Sequence, residues 1–220
     1  MILPIIKRFI YRLTLLNKEK SKKAATLFKA WQQTPLSLFQ FSLINKPKEN
    51  KRYIVIDTET SSLSTKDGEL LSIGWVLVEE NKIKLNSARH YLLQPNNSVG
   101  NSAAIHQLRD CEFKEGNETS AIMKELIETA AGKTMVFHHA PLDTEFLNKA
   151  CKDTFGLPLL WPTLDTLQIE KQKLERKNIP LQKNALRLAS CRARYNLPTY
   201  PAHNALIDAL ATAELLLAQS

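Results

Sequence analysis

An apolar run, Tyr53-Ile54-Val55-Ile56, leads directly into alternating acidic and threonine positions at residues 57–60. β-Branched and aromatic side chains are typical of a buried strand. Successive side chains on a strand point to opposite faces, so Asp57 and Glu59 are predicted to share one face. Two neighbouring anions repel each other. The pattern therefore indicates either a cation between them or two solvated acids in a loop after the strand.

The remaining pattern predicts two more strands, followed by alternating helices and strands. Residues 70–78 and 82–93 are strand-like and are joined by a Glu-Asn turn, which is typical of a hairpin. A short apolar strand is expected at 134–138. Helical segments are predicted at 102–108, 120–131 with Thr119 or Ser120 as N-cap, 141–151, from Asp165 onward, 181–195 and 204–219. This order predicts an α/β fold with a mixed sheet flanked by helices.

The first 50 residues follow a different pattern. Residues 1–17 and 18–33 place apolar side chains at helical intervals with Lys and Arg among them, and a polar stretch around Pro47 is typical of a linker. We expect a basic amphipathic helical extension over residues 1–50 and a domain over 51–220. Docking on the domain, binding of a protein partner and binding at a membrane surface all stay open for the extension. No apolar run is long enough for a transmembrane span.

Charge and cysteine content narrow the class of protein. The chain has a formal charge of +8, but residues 1–52 hold twelve Lys and Arg against two acids, which leaves residues 53–220 with a net charge of −2. Such asymmetry favours a polyanionic partner, either nucleic acid or an anionic membrane. Three cysteines, each 40 residues from the next, form no close pair. Their spacing argues against a zinc site or a disulfide framework and favours a reducing, cytoplasmic location.

Two further acids stand at positions where elements are predicted to meet. Asp143 lies where a strand gives way to a helix, although a helix cap is an alternative explanation for it. Asp208 lies in the last helix among small residues, and burying it without a partner would be costly. His203 precedes that helix. A hard divalent cation would relieve the charge on these acids, because Mg²⁺ binds carboxylate oxygens and keeps positions open for substrate phosphates.

Taken together and in order, these motifs resemble the DnaQ-like 3′–5′ exonucleases of the DEDDh branch. The resemblance covers about residues 52–220. It rests on Asp57-Thr58-Glu59-Thr60, on His138-His139-Ala140 with Asp143 before Phe146-Leu147, and on His203 with four residues before Asp208. It implies a ribonuclease H-like fold with a mixed five-stranded sheet. It also implies two Mg²⁺ or Mn²⁺ ions per active site and release of nucleoside monophosphates from 3′ ends.

The same resemblance implies a role for individual residues. The expected ion-holding acids are Asp57, Glu59, Asp143 and Asp208, and His203 is the expected general base. The residues expected to contact the substrate are Thr58, Thr60, Leu63, His106 and His139. Asp165 is expected to be a cap or structural residue. His139 and Gln107 stand where the family often has Asn and Gly, so a substrate preference is not inherited.

More than one function is compatible with the sequence. The first is metal-dependent 3′–5′ exonuclease activity on single-stranded DNA ends, in repair, proofreading or end-trimming. The alternatives are an RNA or short-oligonucleotide exonuclease, a non-catalytic nucleic-acid-binding module, and an adaptor that acts through its basic extension. Because the sequence stops at Ser220, directly after the last helix, we expect any protein partner to bind the N-terminal helices.

Overall fold

The computed structural model describes residues 52–94, 116–156, 158, 159, 161–201 and 203–220. The predicted N-terminal helices and linker, and the helical turn at 102–108 with His106, lie outside these residues. The division into an extension over 1–50 and a domain over 51–220 therefore stays a prediction.

The described strands form one five-stranded mixed sheet, in the order β3-β2-β1-β4-β5. The strands are β1 (Arg52–Thr60), β2 (Leu70–Glu79), β3 (Lys82–Leu92), β4 (Thr134–Phe137) and β5 (Thr163–Asp165). The first three are antiparallel neighbours, whereas β4 runs parallel to β1 and β5 runs parallel to β4. The carboxyl ends of β1, β4 and β5 consequently lie at one edge of the sheet, and the predicted mixed five-stranded sheet is confirmed.

Helices cover both faces of this sheet. They are α1 (Thr119–Ala130), α2 (Ala140–Phe155), α3 (Thr166–Arg176), α4 (Leu188–Ala193) and α5 (Ala205–Gln219). Among the described residues, no helix has the length and apolar character needed to cross a bilayer.

The alternation of side chains along β1 divides the core in two. Ile54 and Ile56 pack on one face with buried residues of α1 and α2. Tyr53 and Val55 pack on the other face with Ala213 and Leu216, both from α5. Because side chains alternate along a strand, Asp57 and Glu59 continue the face that α5 covers, whereas Thr58 continues the face that α2 covers.

The helix predicted for 181–195 is wrong in extent, since the structure has helix only at Leu188–Ala193. Asn184 has φ of 64°, a left-handed conformation that interrupts a helix. The Leu186 carbonyl accepts a hydrogen bond from Nε2 of His138 over 2.9 Å. This contact joins residues 48 positions apart, so local sequence could not predict it.

Two cap predictions have different outcomes. The predicted N-cap of α1 is wrong, because Thr119 is already helical and Glu118 occupies the cap position. The cap role expected of Asp165 is confirmed, because its Oδ1 accepts from the Leu167 N–H over 2.9 Å at the start of α3. Asp165 also ends β5, so its backbone closes a strand while its side chain opens a helix.

Candidate active site

Three carboxylates from two elements meet at the carboxyl end of β1. Asp57 and Glu59 come from β1 and Asp208 comes from α5. Each offers an oxygen, and these oxygens all lie within 4.8 Å of one another. The i, i+2 spacing on the strand directs both β1 acids toward α5, and α5 supplies the third. Oxygen donors at this separation can share a divalent cation.

Gly74 on β2 explains how α5 comes close enough to contribute Asp208. In the antiparallel ladder Gly74 is the partner of Asp57. A Cβ atom at Gly74 would overlap the backbone of Ala205 and Leu206 at the start of α5. A lone glycine inside an apolar strand is a signal of such a close approach, and sequence reasoning missed it.

The start of α5 is fixed by its cap as well as by this contact. Asn204 Oδ1 accepts from the backbone N–H groups of Leu206 and Ile207, each over 3.1 Å. Capping fixes the first turn of a helix, and Asp208 lies at the end of that turn. The position of the Asp208 carboxylate is therefore set by a cap and by a glycine on the neighbouring strand.

Asp143 approaches the same edge from the opposite face of the sheet. It is 6% exposed, and its Oδ1 accepts from Thr58 Oγ1 over 2.7 Å and from the Thr58 N–H over 3.0 Å. Asp143 does not belong to the group of three carboxylates with oxygens within 4.8 Å, but its charge contributes to raising the pKa of Asp57. Thr58 thus holds the fourth acid beside the other three.

Asp165 fixes the start of the helix that carries Asp143. Its two side-chain oxygens accept from the backbone N–H groups of His139 and Ala140, over 2.9 and 3.1 Å. These donors belong to the N-cap and the first residue of α2, where the helical N–H groups have no partner of their own. The end of β5 therefore orients the helix that brings Asp143 to β1.

The electrostatics of the four acids favour a bound cation. Burial, followed by the charges of Asp143, Asp208 and Glu59, raises the pKa of Asp57 well above its ordinary value. Burial, with the Asp208 charge adding to it, raises the pKa of Glu59 to about 7. Burial also raises the pKa of Asp143 to about 7, although the Thr58 hydrogen bonds oppose the shift. Partly buried oxygen donors that repel one another are the set that a hard divalent cation fits.

His203 lies beside this cluster in an exposed position. Its backbone has φ of 69°, and its N–H donates to Asp208 Oδ2 over 3.0 Å. The charge of His203 acts to lower the pKa of both Glu59 and Asp208, which indicates that its ring lies near both carboxylates. An exposed imidazole next to a carboxylate cluster can accept a proton from a molecule bound there.

Arg192 supports the segment that precedes His203, and the sequence analysis did not identify it. This arginine is 3% exposed. Its guanidinium donates to the carbonyls of Ala211 and Pro198 and pairs with Glu214 at 2.7 Å. It also lies 4.7 Å from the centre of the Tyr200 ring. Arg192 consequently ties the segment around residues 198–200 to α5.

The residues predicted to contact substrate fall into different surroundings. Thr58 is buried against Asp143, and Thr60 Oγ1 donates to the Ser62 carbonyl over 2.8 Å. Leu63 is 83% exposed in the connection between β1 and β2. His139 is exposed at the cap of α2 with φ of 73°. Their predicted contacts with substrate stay predictions, and His106 lies outside the described residues.

Comparison with solved structures finds the same fold in other proteins. A structure described as the zinc-bound form of the E. coli ExoI–ssDNA complex aligns with a TM-score of 0.65 and 14% identity, over 77% of this chain and 40% of that one. The Mg²⁺- and Mn²⁺-bound form of S. pombe Pop2p aligns with a TM-score of 0.60 and 16% identity, over 87% and 88% of the two chains. These likenesses define the fold as the ribonuclease H-like one that the family resemblance implied.

Sequence comparison identifies the family. The profile described as Exonuclease matches residues 54–216. The chain is also 26% identical over 170 residues to a DNA polymerase III PolC-type protein of Thermotoga petrophila. This alignment covers 77% of this chain and 12% of that protein. The chain thus spans about an eighth of the length of that relative. The chain belongs to the exonuclease family, and the predicted resemblance to DnaQ-like exonucleases and the predicted nuclease class are confirmed.

Proposed function

We propose that this chain is a 3′–5′ exonuclease that releases nucleoside monophosphates from the 3′ end of single-stranded DNA. The proposed enzyme uses two divalent ions, Mg²⁺ or Mn²⁺. It acts in the cytoplasm, in repair, proofreading or end-trimming. The observation that carries it is the meeting of four carboxylates, from β1, α2 and α5, at one edge of the sheet.

The acids have one shared task in this proposal. Asp57, Glu59 and Asp208 would hold the ions, with Asp143 contributing beside Asp57. When bound, such ions supply charge neutralisation for the phosphoryl group and promote ionisation of the attacking water. The chain's own contribution is a rigid set of oxygens, because β1, the α5 cap and Thr58 each fix one part of it.

His203 is the proposed general base. A ring nitrogen accepts a proton from the attacking water, whose oxygen bonds to the terminal phosphorus as the bond to the 3′ oxygen breaks. The leaving 3′ oxygen takes its proton from solvent. Histidine exchanges protons readily near neutral pH, and the exposure of His203 leaves its ring accessible to a bound strand.

Single-stranded DNA is the proposed substrate because two kinds of support agree. One solved structure with this fold is described as a complex with ssDNA. In this chain, the exposed side chain of Leu63 stands in the loop that follows the two β1 acids, where it can contact an unstacked terminal base. The basic N-terminal extension is the proposed site for a protein partner.

A strand-degradation assay tests this function. The purified chain is incubated with 3′-labelled and 5′-labelled single strands of DNA and of RNA, with Mg²⁺, with Mn²⁺ or with chelator. The proposal predicts that the 3′ label is released first as a mononucleotide, that DNA is the better substrate, and that chelator stops the reaction. Faster degradation of RNA would instead favour the exoribonuclease alternative.

Two variants and a control locate the activity. Asp57→Ala and His203→Ala are expected to lose most of the activity, because one removes an ion-holding oxygen and the other removes the base. Glu80→Ala serves as control, since it removes an exposed acid in the turn after β2. Activity that persists in chelator, or that is undiminished in Asp57→Ala, would contradict the proposed mechanism. Binding of single strands without any degradation would instead favour the non-catalytic binding module.

A further inference from the structure

The connection between α3 and α4 concentrates positive charge within an otherwise acidic region. We name residues 176–187 the basic connector. It carries Arg176, Lys177, Lys183 and Arg187 and no acidic residue, whereas residues 53–220 together have a net charge of −2. A cluster of one sign in a region of the opposite sign creates a local potential that attracts counter-charged partners.

The cations of the basic connector are exposed to solvent. No carboxylate among the described residues forms an ion pair with any of the four. The next arginines along the chain differ, since Arg192 pairs with Glu214 and Arg194 pairs with Glu170, each at 2.7 Å. Ion pairing within the fold therefore accounts for Arg192 and Arg194 but not for the connector.

Two hydrogen bonds fix the basic connector, and the first of them joins it to the carboxyl end of β4. The Leu186 carbonyl accepts from Nε2 of His138 over 2.9 Å, and His138 directly follows the last residue of β4. The Ala185 carbonyl accepts from Arg194 over 2.7 Å. Because β4 is the parallel neighbour of β1, and neighbouring strands lie about 4.8 Å apart, Leu186 of the connector is fixed beside the strand next to the one that carries Asp57 and Glu59.

The basic connector also exposes apolar surface between its cations. Ile179 is 46% exposed and Leu181 is 42% exposed. Proteins that bind single strands combine a positively charged surface along the backbone with side chains that contact the faces of the bases, most often aromatic ones. The connector offers cations for the phosphates and aliphatic side chains that can contact the apolar faces of the bases.

We propose that the basic connector binds the phosphodiester backbone of a single strand on the 5′ side of the 3′ end that enters the carboxylate cluster. This inference rests on the proposed function, and it names a surface that feeds the same site. The four acids repel a polyanion, so a strand that reaches them needs cations nearby to hold the part that is not being cut. The connector provides such cations at the same edge of the sheet.

A binding measurement without catalysis tests this surface. Fluorescence anisotropy of a labelled oligothymidylate of about twenty nucleotides is recorded in chelator across a range of salt concentrations. The full chain is compared with Lys183→Gln/Arg187→Gln, and a parallel oligouridylate arm distinguishes deoxyribose from ribose strands. The matched control is Lys124→Gln/Lys152→Gln, which removes two exposed lysines from α1 and α2, away from the connector.

The expected result is a difference in salt dependence. Each lost phosphate contact on a single strand lowers the slope of log affinity against log salt by about 0.7, so the connector variant should lose about 1.4. The control variant should keep the slope of the unmodified chain. Arg176→Gln/Lys177→Gln is the second connector variant, for use if thermal melting shows that the first one does not fold.

Equal slopes in the connector and control variants would overturn the inference. So would binding of both strands by the connector variant at unmodified strength. Because the assay runs in chelator, its outcome is independent of hydrolysis. Binding through the connector without any degradation would support this surface and refute the proposed function. Degradation of DNA by a chain whose connector variant binds as tightly as the unmodified chain would support the proposed function and refute this surface.

Discussion

Gly74 faces Asp57 across the β1–β2 ladder, and the missing side chain of Gly74 leaves room for the first turn of α5 against the sheet. The absence of a side chain at Gly74 therefore affects where the carboxylate of Asp208 lies. Asp208 can approach Asp57 only if Ala205 and Leu206 lie directly against β2. Gly74 has no functional group, yet it determines the geometry of the carboxylate cluster.

Substitution of this glycine should damage both stability and activity. In Gly74→Ala the new methyl group overlaps the backbone of α5, and overpacking of this kind costs about 1–3 kcal/mol. Displacement of Asp208 by about 1 Å should reduce turnover by about a hundredfold. Thermal melting and initial rates on labelled single-stranded DNA measure the two effects.

Gly156→Ala is the matched control for this substitution. Gly156 ends α2 with φ of 73° and has no atom near the position of an added Cβ. Its substitution should cost about 1 kcal/mol through backbone strain and leave the turnover unchanged. Equal losses of turnover in the two variants would show that α5 does not depend on Gly74 for its position.

The stability of the metal-free protein should fall as the pH rises. The pKa values of Glu59 and Asp143 are about 7 in the folded chain, whereas the ordinary values are 4.5 and 3.8. Between those limits the folded state holds protons that the unfolded state has released. The free energy of unfolding therefore decreases from about pH 4 to about pH 7. Above about pH 7 both carboxylates are ionised in the folded chain, and the loss of stability is complete.

A bound divalent ion should remove this penalty, so Mn²⁺ should raise the melting temperature more at about pH 8 than at about pH 5. Differential scanning fluorimetry with and without Mn²⁺ measures the shifts. Asp208→Asn removes one of the mutually repelling charges. That variant should be less sensitive to pH without metal and should respond weakly to Mn²⁺. A Mn²⁺ shift of the same size at both pH values would contradict the prediction.

Leu63 should affect substrate binding but not folding. Its side chain is 83% exposed, so Leu63→Ala removes almost no buried area and should leave the melting temperature unchanged. If the side chain contacts the terminal base, KM for single-stranded DNA should rise several-fold. Leu85→Ala removes a leucine that is 68% exposed on β3 and should change neither quantity. An unchanged KM in Leu63→Ala would exclude this contact.

Arg192 should be a strong determinant of stability. Arg192→Ala removes the donor to Glu214 Oε2 and to the Pro198 and Ala211 carbonyls, and leaving buried acceptors without their donor costs about 1–3 kcal/mol. Lys171→Ala breaks the exposed pair with Glu175 and should cost less than about 0.5 kcal/mol. Chemical denaturation compares the two, and a similar cost in both would contradict the anchoring role of Arg192.

The sequence predicts the parts of the fold that depend on local periodicity. The alternation along β1 correctly predicted that Asp57 and Glu59 share a face, and the pattern after residue 204 predicted the helix that brings Asp208 to them. The order of strands and helices was sufficient for a mixed sheet, but the pattern did not predict β5, and the number of five strands came from the family resemblance. These features follow from side-chain direction within one element, which a sequence pattern contains.

Features that depend on distant contacts could not be predicted in the same way. Residues 181–187 have the composition of a helix, but the Leu186 carbonyl accepts a hydrogen bond from His138, and the segment is not helical. The buried position of Arg192 depends on α5, and the role of Thr58 depends on Asp143, which lies 85 residues away. In each case a tertiary partner decides the outcome, and local propensity contains no information about that partner.

The convergence of the acids on bound ions is tested most directly by diffraction from crystals grown with Mn²⁺, using the anomalous signal of the metal. The account predicts anomalous density in contact with carboxylate oxygens of Asp57, Glu59 and Asp208, and its loss in crystals of Asp57→Asn. Mn²⁺ bound only elsewhere on the chain, or four carboxylates with no metal among them at saturating Mn²⁺, would contradict it.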